Sequence, residues 1–189
     1  RPPRSTLFPY TTLFRSELVQ QLVAALQELN LSCTLCENLD ELSCLTQEAF
    51  AAGRLRGVVA AGGDGTVSLV AEQTLPGMPL AILPLGTENL LAKYLGISTD
   101  PARLARIIAA GKTVRLDAGL ANGRLFTLMV GCGFDADVVR RLHEQRRGQI
   151  HHWSYALPIL AAVRNYSYPK LTVYYQQWDA VSGQMVERS

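Results

Sequence analysis

Apolar residues at 18, 22, 23, 26 and 29, all Leu except Val23, recur at the 3.6-residue spacing of a helix with one face on a core. Residues 31–36 form a short apolar run that reads as a strand, and 39–52 read as a second helix closed by Gly53. Residues 55–61 are a buried strand running into a glycine-rich turn, with helix expected again from 67 to 73. A further buried strand spans 80–83, helix follows over 88–95, and Pro101 opens a helix that Gly111 closes. Strands and helices thus alternate from 18 to about 111. Parallel neighbours need crossover connections, so the pattern predicts an α/β fold: a parallel sheet with helices on both faces.

Beyond Val114 the pattern changes. Residues 113–120, 124–130 and 170–177 read as longer strands, the last alternating as a half-exposed antiparallel strand would. A boundary is placed within 117–123, giving an α/β domain over 17–117 and an incomplete β-rich second domain over 118–189. Residues 1–16 stand apart. The stretch 5–16 nearly repeats itself, has neither helical nor strand period, and resembles translated adapter sequence rather than a signal peptide. Treated as a non-native leader, it leaves the first domain without its opening strand.

Composition narrows the classes. With 48% hydrophobic and 18% charged residues the chain is ordinary for a globular protein, and a net charge of +2 gives no footprint for nucleic acid. The apolar stretch 155–163 is too short to span a bilayer and contains a proline, so any membrane contact is expected to be peripheral. Cys33 and Cys36 form a C-x-x-C without a matching second pair, and His151 and His152 lie far away. Buried free thiols in a reducing cytoplasm are expected rather than zinc.

Two loops carry candidate chemistry. Gly62-Gly-Asp-Gly-Thr66 sets three glycines in four positions between a buried strand and a helix, leaving the backbone free to turn and approach a ligand. The following helix offers unpaired N–H groups and a positive dipole end, which suit phosphate. Asp64 would repel phosphate, and fits Mg²⁺, its waters, or a ribose; a glycine turn with a capping aspartate reads equally well from spacing alone. Pro84-Leu-Gly-Thr-Glu-Asn89 repeats the strand-to-helix setting. Since ligands in open α/β sheets bind at the carboxyl ends of strands, both loops are expected to face one crevice, with Thr87 and Asn89 as neutral donors. Other patterns are weaker. Gly111-Lys-Thr113 lacks the earlier glycine of a Walker A loop, and Gly131-Cys-Gly-Phe-Asp-Ala136 lacks the acidic residue of a dinucleotide fold, leaving it as a tight turn. Arg140, Arg141, Arg146 and Arg147, beside His143, form a basic segment of the sort that anionic headgroups attract.

The pair G-G-D-G-T and P-L-G-T-x-N, about twenty residues apart, resembles the diacylglycerol kinase catalytic domain shared with sphingosine kinases and bacterial lipid kinases. The likeness continues through residues 95–97, 115–119 and 126–137. It implies the fold common to NAD kinases and diacylglycerol kinases, and transfer of the γ-phosphoryl group of ATP to a lipid hydroxyl with Mg²⁺. By that resemblance Gly62, Gly63, Asp64, Gly65, Thr66, Val67 and Ser68, with Gly86, Thr87 and Asn89, would contact ATP. Asp64 and Asp117 would organise the metal and the transferred phosphate. A lipid substrate at a membrane surface, in the cytoplasm, is implied, and a homodimer is left open. Leu90 stands where the resembled family usually carries aspartate, which would remove an acidic contact, and the catalytic base that the resemblance implies would lie beyond Ser189. With a half-built second domain leaving an open sheet edge, this stretch is expected to be inactive alone. The other classes weighed are a NAD kinase, which shares the first loop but not the second, and a non-catalytic nucleotide-binding module.

Overall fold

A computed structural model describes residues 5–9, 17–144, 166–179 and 183–188. The chain divides into two compact units, residues 1–130 and 131–189. In the first, strands β1 (Ser5–Pro9), β2 (Ser32–Cys36), β3 (Leu55–Gly62) and β4 (Leu80–Pro84) form one parallel sheet in the order β2-β1-β3-β4. Helices α1 (Glu17–Glu28), α2 (Leu39–Ala51), α3 (Asp64–Gln73), α4 (Leu90–Tyr94) and α5 (Pro101–Ala110) cover it.

Side-chain alternation along β3 and β4 decides which helix goes where. Val59 and Ala61 of β3, with Leu83 of β4, pack with Val19, Leu22 and Leu26 of α1 and Leu104, Ala105 and Ile108 of α5. The alternate residues Val58, Ala60 and Ile82 pack with Leu42 of α2, Val67 and Val70 of α3, and Leu91 and Ala92 of α4. The sheet is therefore covered on both faces, as expected from a run of strands apolar at nearly every position. Each fully buried leucine or valine contributes about 1.5–3 kcal/mol relative to exposure. The order also sets a reversal: β1 passes to β2 on one side, while β3 passes to β4 on the other. Right-handed crossovers place α1 and α3 on opposite faces for that reason.

The structure departs from the sequence reading at the amino terminus. Ser5–Pro9, assigned to a leader outside the fold, is the inner strand between β2 and β3, so the sheet does not lack that strand. An inner parallel strand is held by backbone pairing on both edges and does not need the alternating pattern sought in the sequence. The later strands are shorter than expected. Of 113–120 and 124–130, Gly119–Ala121 (β5) and Arg124–Phe126 (β6) pair as an antiparallel hairpin, and 112–118 lies as exposed coil with no strand partner among the described residues. The turn is Asn122-Gly123, both at positive φ, the dipeptide that favours a two-residue hairpin. Gly119 faces Phe126 so closely that a Cβ would come 2.2 Å from the ring. This hairpin packs on α3 within the first unit, where Glu72 accepts a hydrogen bond from the Leu125 amide at 2.9 Å.

In the second unit, Gly133 at φ 79 turns the chain into α6 (Phe134–Glu144), in line with the tight turn expected there. The rings of Phe134, Tyr166 and Tyr168 cluster with centroids 4.9–5.9 Å apart. β7 (Tyr175–Asp179) and β8 (Gln184–Arg188) form an antiparallel hairpin. Arg140 pairs with Asp137 at 2.5 Å; the rest of the basic segment, the stretch 155–163 and the histidine pair lie outside the side chains described. Among the described residues no helix is long and apolar enough to cross a membrane.

Two packing details yield tests. Arg56 donates from Nε to the Ile108 carbonyl at 2.7 Å and from its guanidinium to the Ala109 carbonyl, closing the carboxyl end of α5 above Gly111. Arg56→Ala should lower stability by about 1.5–3 kcal/mol in chemical denaturation, and Arg56→Lys should recover only part, since an ammonium lacks the planar fork. All four cysteines are free, and no described group of three His, Cys, Asp or Glu could hold a metal. Cys36 is buried and Cys33 half-buried, whereas Cys44 and Cys132 are exposed rather than buried. Burial pushes the Cys33 thiol up from 9.0 to about 11, and that of Cys36 also up. Iodoacetamide at mildly alkaline pH should therefore label Cys44 and Cys132 and spare Cys33 and Cys36 until the chain is unfolded. Because the folded state keeps the Cys33 proton longer, stability should fall as pH rises from 9.0 towards about 11.

Candidate functional site

Parallel neighbours β3 and β4 end side by side, Gly62 opposite Pro84, so the loops that leave them are forced together. The Leu85 amide donates to the Gly62 carbonyl at 3.0 Å, extending the ladder one step into the turn. Beyond it the backbones touch. A Cβ on Gly86 would come 2.5 Å from the Gly63 Cα, and one on Gly63 would come 3.3 Å from the Gly86 Cα. Gly62 is close-packed in another way: a Cβ there would meet the Thr66 side chain at 2.4 Å, so Thr66 is folded back over its own loop. Gly65 differs, being exposed with nothing within 4 Å of a built Cβ.

α3 starts at Asp64, three residues earlier than the pattern suggested, after Gly63 in an extended conformation that supplies no side-chain cap. Val67 is the first amide bonded back into the helix, to the Gly63 carbonyl at 3.1 Å. The amides of Asp64, Gly65 and Thr66 have no acceptor among the described residues. These are the orphan donors of a helix amino terminus, with the positive end of the dipole behind them.

The second loop is held from within by Asn89. Its Oδ1 accepts from the Gly86 amide at 2.9 Å and its Nδ2 donates to the Gly86 carbonyl at 2.7 Å, while its own backbone sits left-handed at φ 49. The Asn89 amide group, expected as a donor to ligand, is taken up by the loop. Asp64 spans the two loops: Oδ2 accepts from the Leu90 amide at 2.9 Å and Oδ1 from the Leu91 amide at 3.0 Å. Thr87 is exposed at the loop tip, Ser68 half-buried, and Val67 buried in the core beneath α3. Asp117 lies in exposed coil, and no hydrogen bond or ion pair joins it to Asp64 among the described residues. The structure thus brings the two loops together, while no described hydrogen bond or ion pair ties Asp117 to them. Sequence reasoning missed Glu72, whose contact with the hairpin has no local signal; Asn122-Gly123 was the signal available for the hairpin itself.

The family described as the diacylglycerol kinase catalytic domain matches residues 12–121, more than half of the chain and the whole of the region holding both loops. The chain belongs to this diacylglycerol kinase family. A relative from Pseudomonas aeruginosa named "Probable lipid kinase YegS-like" is 39% identical over 117 residues, 60% of this chain and 38% of that protein. One of the same name from Pseudomonas putida is 41% identical over 104 residues, 53% of this chain and 34% of that protein. The chain thus spans well under half of the length of these curated relatives. A solved structure of a diacylglycerol kinase from Bacillus anthracis superposes with a TM-score of 0.57 at 24% identity, over 98% of this chain and 61% of that one. That likeness supports the fold, and the region matched by the family contains both glycine loops of this chain.

The loop contact makes a contrast between glycines testable. Gly86→Ala must push apart two backbones and should destabilise the chain by about 1–3 kcal/mol. Gly65→Ala, in open space on the first turn of a helix, should be neutral or stabilising by up to about 1 kcal/mol. Denaturation midpoints of the two variants check both signs.

Proposed function

We propose that the paired glycine loops hold the phosphates of ATP and that the protein transfers the γ-phosphoryl group to a lipid hydroxyl. The observation that carries the nucleotide half is the unclaimed amino terminus of α3: three amides without acceptors beside Gly65, where no side chain stands in the way. Such a terminus suits an anion in both hydrogen bonding and charge. The location agrees, because the loops lie at carboxyl ends of strands next to the point where the strand order reverses, between β1 and β3. The lipid half rests on the family and on relatives named as lipid kinases; diacylglycerol and sphingoid bases are the acceptor classes to compare.

Phosphoryl transfer relies on positioning and neutralisation of charge rather than on a protein nucleophile, which suits rigid backbone loops. Gly63, Gly65 and Thr66 would offer amides to the phosphates, and the Thr87 hydroxyl at the exposed tip of the second loop would donate from the other side. The fit to a metal is poorer. Both Asp64 oxygens are engaged by backbone amides, no described hydrogen bond joins Asp117 to them, and no described trio of ligands converges. No step through Mg²⁺ and no catalytic base is assigned to these residues.

Gly65→Val separates binding from folding. It should leave the denaturation midpoint within about 0.5 kcal/mol of the original, as surface changes usually do, and weaken ATP at least about tenfold, or ~1.4 kcal/mol. Unchanged ATP affinity would remove the phosphate from α3. Transfer of labelled phosphate from ATP to diacylglycerol or sphingosine is expected; transfer to NAD instead would overturn the lipid assignment.

A further inference from the structure

α4 poses a problem that its own sequence does not solve. It has five residues, too few to persist alone, yet it carries Leu91 and Ala92 into the core beneath β3 and β4. An asparagine at the N-cap would normally accept from the first turn with its backbone extended. Asn89 is left-handed instead, supplies no cap, and has its amide group bonded at both ends to Gly86. The acceptor comes from 26 residues earlier in the chain: the Asp64 carboxylate takes the Leu90 amide at 2.9 Å and the Leu91 amide at 3.0 Å. Asp64 is also the first residue of α3, so one carboxylate serves the amino-terminal ends of two helices.

We infer that Asp64 is a positioning residue that locks the second loop onto the first, and is not a metal ligand. The electrostatics argue the same way as the geometry. Two N–H dipoles present their positive ends to these oxygens, which favours a carboxylate and opposes a cation bound at the same atoms. The Leu90 and Leu91 amides also offset the charge of Asp64. Phosphate at the α3 terminus would then meet a paired carboxylate rather than a bare one. The lock sets the separation of Gly65 and Thr87, and it acts on nucleotide only through them. The nucleotide part of this inference rests on the phosphate reading above; the lock itself does not.

The test begins with the unmodified 189-residue chain. Hydrogen exchange followed by NMR should show the Leu90 and Leu91 amides protected in this chain, as their bonds to Asp64 require. Exchange of both at the rate of free coil would overturn the lock, and this arm needs no variant. Asp64→Ala should then speed hydrogen exchange at Leu90 and Leu91 about five- to tenfold, the size of a lost helix cap, with Val59 and Ala60 unchanged. Asp64→Asn, which keeps one acceptor oxygen, should fall between. Finally, ATP binding is measured with excess chelator. A positioning role predicts about a tenfold loss in Asp64→Ala without any metal. A metal ligand predicts unchanged or tighter metal-free ATP and a loss confined to added Mg²⁺, which would sink the inference. If the unmodified chain binds no ATP, the phosphate reading fails, while the protection of the Leu90 and Leu91 amides and its loss in Asp64→Ala still decide the role of Asp64.

Discussion

Everything at this site depends on two backbones meeting where parallel strands end. β3 and β4 are hydrogen-bonded neighbours, so Gly62 and Pro84 finish level and their loops have about 4.8 Å, one strand spacing, in which to diverge. Side chains would not fit there. Gly63 and Gly86 touch, and the Leu85 amide continues the ladder to the Gly62 carbonyl. Both loops must then lift their helices away on the same face, and α3 and α4 do pack together over Val58, Ala60 and Ile82. Two helix amino termini brought so close would repel each other unless an anion sat between them. Asp64 supplies it from within the chain.

That reasoning separates the glycines by their duties. Gly63 and Gly86 permit the approach, Gly62 makes room for Thr66, and Gly65 alone leaves space toward solvent. A glycine-rich motif viewed as a single phosphate cradle hides this division. Three of the glycines are needed for the fold of the loops themselves, and only one is free for what a ligand would require. The unclaimed amides at Asp64, Gly65 and Thr66 sit around that one position.

Much of this architecture was readable in the residues. Near-continuous apolar runs announced buried parallel strands, and the helical spacing of Leu22 and Leu26 placed α1 on the core. Pro101 at the start of α5 and Gly111 after it marked its ends, and the structure adds Asp100 as the N-cap. The two loops were also found, because glycine between a buried strand and a helix is a local signal. What escaped was non-local. The pairing of Ser5–Pro9 between β2 and β3 depends on backbone groups at neighbouring edges, and nothing in its side-chain pattern encodes that. The commitment of Asp64 to Leu90 and Leu91, and of Glu72 to Leu125, joins residues 26, 27 and 53 positions apart. Spacing rules read along one element cannot see such bonds. The strand expected over 113–120 failed for a related reason: β propensity makes a segment able to pair, but a strand also requires a neighbour.

Leu90 brings these points together. The resemblance drawn from the sequence implies an aspartate at this position, and Leu90 in its place implies the loss of an acidic contact. Within the observed geometry the position is the first residue of α4, and its amide is already bonded to Asp64. A second carboxylate here would share one helix terminus with the first, and like charges so close raise the cost of keeping both ionised. With an exposed leucine instead, Asp64 has that terminus to itself, and the bond between the loops needs only one ionised group. The substitution therefore removes a competitor for the α4 amides without removing their acceptor. The arrangement that positions the two glycine loops is complete without the family's second aspartate.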